Sequence, residues 1–280
     1  MQKPNLSTVP SEEREILARL RAILPELDGK EFAFAERGHI NWISIENIDL
    51  SRRQEVLKKV LKKIARLPYL RSLILDNDNL SILPDCFGVF PNLERLSFSN
   101  NAFTEFPEEI LKSAPLKMLS ISSNQLKGLP ESISRLRNLE HLAIGSNQIK
   151  YLPNSICKLK KLKNLYANGN QLEFLPECIG ELSSLKNLTI SHNHLKEIPE
   201  SIGELKELRW MNLIGNKIKK IPESIGGLDS LENLILLNNQ IEEIPEALND
   251  LKNLTDLEIL LGNPISELPE KLRQRLDWVR

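Results

Sequence analysis

Residues 231–253 read LENLILLNNQIEEIPEALNDLKN. Leu231, Leu234 and Leu236 stand at positions 1, 4 and 6, so the segment ends in the alternation of a strand with one buried face. Asn239 follows at position 9 and Pro245 at position 15. Stepping by 23 residues from Leu231 reaches Leu208, Leu185, Leu162, Leu139, Leu116, Leu93 and Leu70 in one direction and Leu254 in the other. The shared template is L-x-x-L-x-L-x-x-N-x-L-x-x-L-P-x-x-I-x-x-L-x-x. One unit cannot bury its own leucines. Stacked units can, and the stack predicts a continuous parallel sheet with one residue column per template position.

Each column then has a physical reading. Position 9 holds Asn101, Asn124, Asn147, Asn170, Asn193, Asn216 and Asn239, with Asp78 in the first full repeat. Asn offers both a donor and an acceptor, which suits it to backbone groups left unpaired where the chain leaves the strand. These residues are read as scaffold, not as a polar active site. Position 15 holds Pro84, Pro107, Pro130, Pro153, Pro176, Pro199, Pro222, Pro245 and, after a one-residue shift, Pro269. Proline fixes φ and fits the first position of a short helix, so helical turns are expected on the side opposite the sheet.

This pattern resembles the leucine-rich repeat family, specifically its intracellular class with the L-P-x-x-I signature, found in bacterial repeat proteins and in Ras-related scaffolds of eukaryotes. The resemblance covers residues 70–280. It implies an α/β leucine-rich-repeat solenoid: a curved parallel sheet on the concave side, short helices or 3-10 turns on the convex side, and helical caps. Scaffolds of the Ras-related class recruit small GTPases and phosphatases, but residues 1–69 show no phosphatase-docking motif, so the phosphatase is not carried over as a partner.

The ends depart from the template. INWISIENIDL, residues 40–50, fits the strand pattern through Ile40, Ile43, Ile45 and Leu50, with Ile48 in the Asn position. The next repeat starts 30 residues later, and the extra length accommodates an amphipathic helix over 51–67, with Ser51 and Gln54 in a capping-box pattern and Pro68 as its stop. A second helix is expected over Ser11 to Leu24, capped by Ser11. Residues 1–69 are therefore read as an N-terminal helical cap with an atypical first repeat, 70–268 as nine repeats, and 269–280 as a capping helix with Leu272, Leu276 and Val279 on one face and Trp278 nearby. Asn263 falls one residue late, which implies an insertion in the last strand or bend.

Composition narrows the function. A net charge of −1 supplies no field for nucleic acid. MQKPNLSTVPSEERE has no apolar leader core, and no apolar run approaches the roughly 18 residues a membrane span needs. Cys86, Cys157 and Cys178 are too few and scattered for a disulfide framework, and read as small packing residues. A cytoplasmic, reducing setting fits best, with secretion lacking a visible signal as the alternative. No nucleotide-binding, serine-hydrolase or zinc-protease motif occurs, and the His192–His194 pair lacks a third ligand. No catalytic residue, metal or cofactor is expected.

The variable columns carry the functional reading. Positions 4 and 6 point inward, so positions 3, 5 and 7 project from the concave face. Most are small or polar. Trp210, Ile214, Ile235 and Leu237 stand out on two adjacent strands, with Tyr166 apart from them and Leu260 of uncertain facing. An exposed Trp beside aliphatic residues marks an interaction site, and Asn187, Asn212 and Asn233, with His141 further along, would form its polar border. The expected function is a monomeric, non-enzymatic scaffold that binds a protein on its concave face. Two alternatives are a membrane-surface adaptor working through the basic helix at 51–66 and a targeting module of a larger signalling or effector system.

Overall fold

A computed structural model describes residues 8–84, 87, 90–112, 115–265, 267 and 269–275. The chain divides into two compact units, residues 1–125 and 126–280.

In the first unit, helix α1 (Ser11–Ile23) packs Leu17 and Leu20 inward. Ser11 lies inside the helix; Pro10 is the N-cap residue, and no side chain among the described residues caps the end. The expected Ser11 cap is thus replaced by a proline whose missing N–H costs nothing there. The buried Glu13 ties the helix to the first repeat, its Oε2 accepting the Ile40 N–H at 2.8 Å and its Oε1 facing His39 Nδ1 at 2.7 Å. A hairpin follows that the repeat pattern did not foretell. Strand β1 (Ala33–Glu36) runs antiparallel to β2 (His39–Ser44) around Arg37 and Gly38, both at positive φ (53° and 80°), the backbone a tight two-residue hairpin turn requires.

Strand β2 is the strand of the atypical repeat. It pairs in parallel with β3 (Ser72–Ile74), Ile43 opposite Leu73, and β4 (Arg95–Ser97) and β5 (Met118–Ser120) continue the ladder at the 23-residue spacing. Helix α2 (Gln54–Ile64) crosses between β2 and β3 and buries Leu57, Val60, Leu61 and Ile64. Its apolar face is therefore used in packing, where membrane binding would need it free. The capping box is also corrected: Arg53 is the N-cap residue, and Ser51 instead donates from its N–H and its hydroxyl to Asp49 Oδ1, closing a turn ahead of the helix. Leucine and isoleucine are joined in this core by Phe87, Phe90, Phe98 and Phe103, whose rings meet at 5.4–5.7 Å.

The second unit is more regular. Strands β6 (His141–Ala143), β7 (Asn164–Tyr166), β8 (Asn187–Thr189), β9 (Trp210–Asn212), β10 (Asn233–Ile235) and β11 (Asp256–Glu258) run parallel and in register. Leu142, Leu165, Leu188, Met211, Leu234 and Leu257 form one fully buried column. Opposite the strands lie 3-10 turns such as Glu131–Arg135, Glu200–Glu204 and Glu223–Gly227. The prolines do not begin these turns. Pro130, Pro199 and Pro222 are their N-cap residues, extended with ψ near 150°.

The asparagine column behaves as its chemistry requires. Asn193 Oδ1 accepts the Leu172 N–H at 3.0 Å, and its amide donates to the carbonyls of Ala167 at 3.0 Å, Ile190 at 3.3 Å and Ser191 at 3.1 Å. Asn170, Asn216 and Asn239 repeat this set, and within the first unit Asn101 and Asn124 make the corresponding bonds. Asn263 does so with the one-residue offset, reaching Ile241 N, Leu236 O and Ile259 O. Strand β11 stays in register, so the insertion lies in the bend, between buried Ile259 and Gly262 at φ 74°. Helix α3 (Glu270–Arg275) follows and buries Leu272. Leu276, Trp278 and Val279 lie outside the described residues.

The cysteines depart from expectation. Cys157 and Cys178 form a disulfide with Cα atoms 5.9 Å apart. They occupy positions 19 and 17 of successive repeats, and stacking brings those positions together on the 3-10 side. Reading them as isolated packing residues was wrong, and the case for a reducing compartment loses the support it drew from them. Cys86 lies outside the described residues.

Candidate functional site

The open face of the second sheet is set by strand alternation. Positions 4 and 6 are sealed in the core, which forces positions 3, 5 and 7 outward. In the position-3 column Trp210 stands opposite Asn187 on one side and Asn233 on the other. In the position-5 column Asn212 stands opposite Thr189 and Ile235. Adjacent strands lie roughly 4.8 Å apart, so Trp210, Ile235 and the bend residues Ile214 and Leu237 form one neighbourhood.

Exposure sorts these side chains. Trp210 is 37% exposed and Tyr166 39%. Ile214 and Leu237 are half-buried. Ile235 was expected to face a partner but is only 7% exposed. On a strand it is flanked on both sides and supports the patch more than it contributes contact area. Leu260, whose facing was open, is half-buried, while the inserted Leu261 beside it is 68% exposed.

The polar border is partly engaged within the protein. His141 Nδ1 lies 2.5 Å from Asn164 Nδ2, and Asn187 Nδ2 donates to Asn164 Oδ1, so one chain of bonds runs along the position-3 column toward Trp210. Asn164, absent from the expected border, is the centre of that chain; its place in the same column was the available signal. Asn212 Oδ1 accepts the Ile214 N–H at 3.1 Å, which fixes the bend beneath Ile214. The Asn233 side chain makes no hydrogen bond to a described residue. Just outside this column, at position 2, surface pairs such as the part-buried Lys163–Glu140 (2.6 Å) and Arg209–Glu232 (3.6 Å) give a charged flank of little energetic weight.

The histidine pair is not assembled as a metal site. His192 is at positive φ (54°) in the turn, its ring over Gly215, while His194 Nδ1 faces the Asn193 carbonyl. Among the described residues no three His, Cys, Asp or Glu side chains cluster to hold an ion, and no helix is long and apolar enough to cross a membrane.

This geometry agrees with the comparisons. The model of the leucine-rich repeat region matches residues 108–197 and 168–277, and that of the leucine rich repeat matches residues 92–113. The chain belongs to the leucine-rich repeat family. No curated protein matches it. Among solved structures it is similar to a leucine-rich-repeat protein of Leptospira interrogans, with TM-score 0.63 and 32% identity over 76% of this chain and 60% of that one. It is also similar to the repeat ectodomain of the Arabidopsis thaliana membrane receptor kinase GASSHO1/SCHENGEN3, solved with CASPARIAN STRIP INTEGRITY FACTOR 2, with TM-score 0.57 and 31% identity over 75% of this chain and 29% of that one. An internalin of Listeria monocytogenes shares the fold, with TM-score 0.64 and 20% identity over 96% of both chains. The chain thus spans 60% of the Leptospira protein and 29% of the plant ectodomain.

Proposed function

We propose that this chain is a non-enzymatic scaffold that binds another protein on the open face of residues 126–280, with Trp210 as the anchor. The observation that carries the reading is a tryptophan 37% exposed in the middle of a sheet, flanked by asparagines and backed by aliphatic residues. Solubility gains nothing from that arrangement, and stability needs no Trp at a position that Asn fills on both neighbouring strands. Burying a rigid two-χ aromatic inside a polar border is how interfaces concentrate their energy. The plant relative, solved with a bound factor, is consistent with this use of the fold.

The test is affinity capture from the source organism's extract with the wild-type chain and the Trp210→Ala chain as paired baits. A partner enriched by the first and lost from the second supports the reading; identical capture by both contradicts it.

A further inference from the structure

The sheet of residues 1–125 carries a recess of about 780 Å³. Its shape follows from the side chains at positions 3 and 5. Across β2 to β5, position 3 reads Trp42, Ser72, Arg95 and Met118, and position 5 reads Ser44, Ile74, Ser97 and Ser120. Ser72, Ser97 and Ser120 add little bulk. Trp42 is braced edge-on by Phe34, ring centroids 4.5 Å apart, and rises at one side; Met118, 40% exposed, rises at the other. Tall walls over a serine floor leave the cavity.

Its charges are unbalanced. Asp76 lines the cavity and is half-buried. Its Oδ1 accepts the Ser97 hydroxyl at 2.6 Å and the Ser99 N–H at 2.7 Å, and its Oδ2 accepts nothing from the described residues. Burial holds its carboxyl above the ordinary range, and the nearby Glu46 carboxylate adds to the effect. Glu36 brings a second carboxylate to the lining. Arg95, the one cation there, is exposed and makes no ion pair among the described residues. The fold has already stripped much of the water from Asp76 without supplying a counter-charge. A cation arriving from outside meets a carboxylate whose desolvation is largely complete, next to aromatic rings that favour a cation's approach.

We propose that this recess binds a partner polypeptide through a lysine or arginine side chain. The charge sits on Asp76 Oδ2 and the aliphatic stem lies against Trp42 and Phe34. Two carboxylates against one exposed guanidinium make the lining net acidic, which selects a basic side chain over an acidic one. The site is built from residues 34–120 and does not rest on the Trp210 reading.

The experiment is calorimetric titration of the full chain with acetyl-Leu-Lys-Leu-amide and acetyl-Leu-Glu-Leu-amide at low salt. The lysine peptide is expected to bind saturably with one-to-one stoichiometry, and the glutamate peptide at least ~10-fold more weakly. Asp76→Asn keeps an oxygen for Ser97 and Ser99, so the unit should keep its melting temperature while affinity falls ~10-fold or more. Trp42→Phe should weaken binding less, and Trp210→Ala should leave it unchanged. No saturable binding of the lysine peptide, equal binding of both peptides, or undiminished binding by a folded Asp76→Asn chain would overturn the proposal.

Discussion

Asn193 and Asp78 occupy the same template position and differ by one heavy atom, yet their surroundings are opposite in quality. Asn193 closes every bond its turn offers, one as acceptor and three as donor. Asp78 accepts the Ile48 N–H at 2.8 Å through Oδ1, and its buried Oδ2 has no hydrogen-bond partner among the described residues. In an Asn-based repeat the atom there is an NH2 aimed at carbonyl oxygens. A carboxylate cannot donate, and only the protonated acid can fill that role. Burial, aided by the Asp76 and Glu46 carboxylates and opposed by Lys30, accordingly raises the Asp78 carboxyl from 3.8 to about 7. The comparison teaches that the column needs a donor at this point, and that the first full repeat meets the need only when it holds a proton.

The regular region should show the largest single effect. Leu188 is fully buried in the middle of the strand stack. Leu188→Ala should cost about 2–5 kcal/mol, read as a fall in melting temperature, and because each repeat leans only on its neighbours the transition should broaden or split. An unchanged melt would contradict its place in the core column.

Next in size is the covalent link on the opposite side of the same stack. The Cys157–Cys178 bond closes a loop of 21 residues. Cys157→Ser with Cys178→Ser, or reduction of the wild type, should lower stability by about 3 kcal/mol without altering the far-ultraviolet spectrum. Equal melts with and without reductant would show that the bond contributes nothing.

The two polar sites can be exchanged directly. The folded Asp78 carboxyl titrates above the unfolded one, so the folded state keeps a proton that the unfolded state releases between pH 3.8 and about 7. Stability contributed by that proton falls as pH rises through this window, and the deficit is complete above it. Asp78→Asn should therefore stabilise the chain at pH 8 by on the order of 3 kcal/mol and do little at pH 4. Asn193→Asp should create the same pH dependence in the regular region. Denaturant unfolding at the two pH values decides the matter, and pH-independent differences would refute the protonated-donor account.

How much of this was visible beforehand follows from which interactions are periodic. The strands, the buried leucines and the asparagine bonds repeat every 23 residues, so one good repeat foretold the others, from Asn101 to Asn239. What was missed is local or depends on stacking geometry. The β1–β2 hairpin is the one antiparallel pair among the described residues, signalled only by Arg37-Gly38 between two apolar stretches. The helix starts were misplaced because Ser11 and Ser51 have capping chemistry, but Pro10 already supplies an N-cap residue and Asp49 draws Ser51 into a turn. Cys157 and Cys178 looked unrelated because their positions differ by two within the repeat; only the stacked geometry sets them opposite. At the candidate site the alternation rule put Trp210 and Tyr166 outward, where they are, but could not foresee that Ile235 would be covered by its neighbours.

The central functional claim is that Trp210 is surplus to the fold and needed for a partner. The most direct measurement sets the affinity of Trp210→Ala for the captured partner beside its melting temperature, with Thr189→Ala on the same face as reference. The account predicts a loss of at least ~2 kcal/mol in binding for Trp210→Ala, little change for Thr189→Ala, and melting temperatures near wild type for both. Full affinity in the Trp210→Ala chain, or a large fall in its stability, would contradict it.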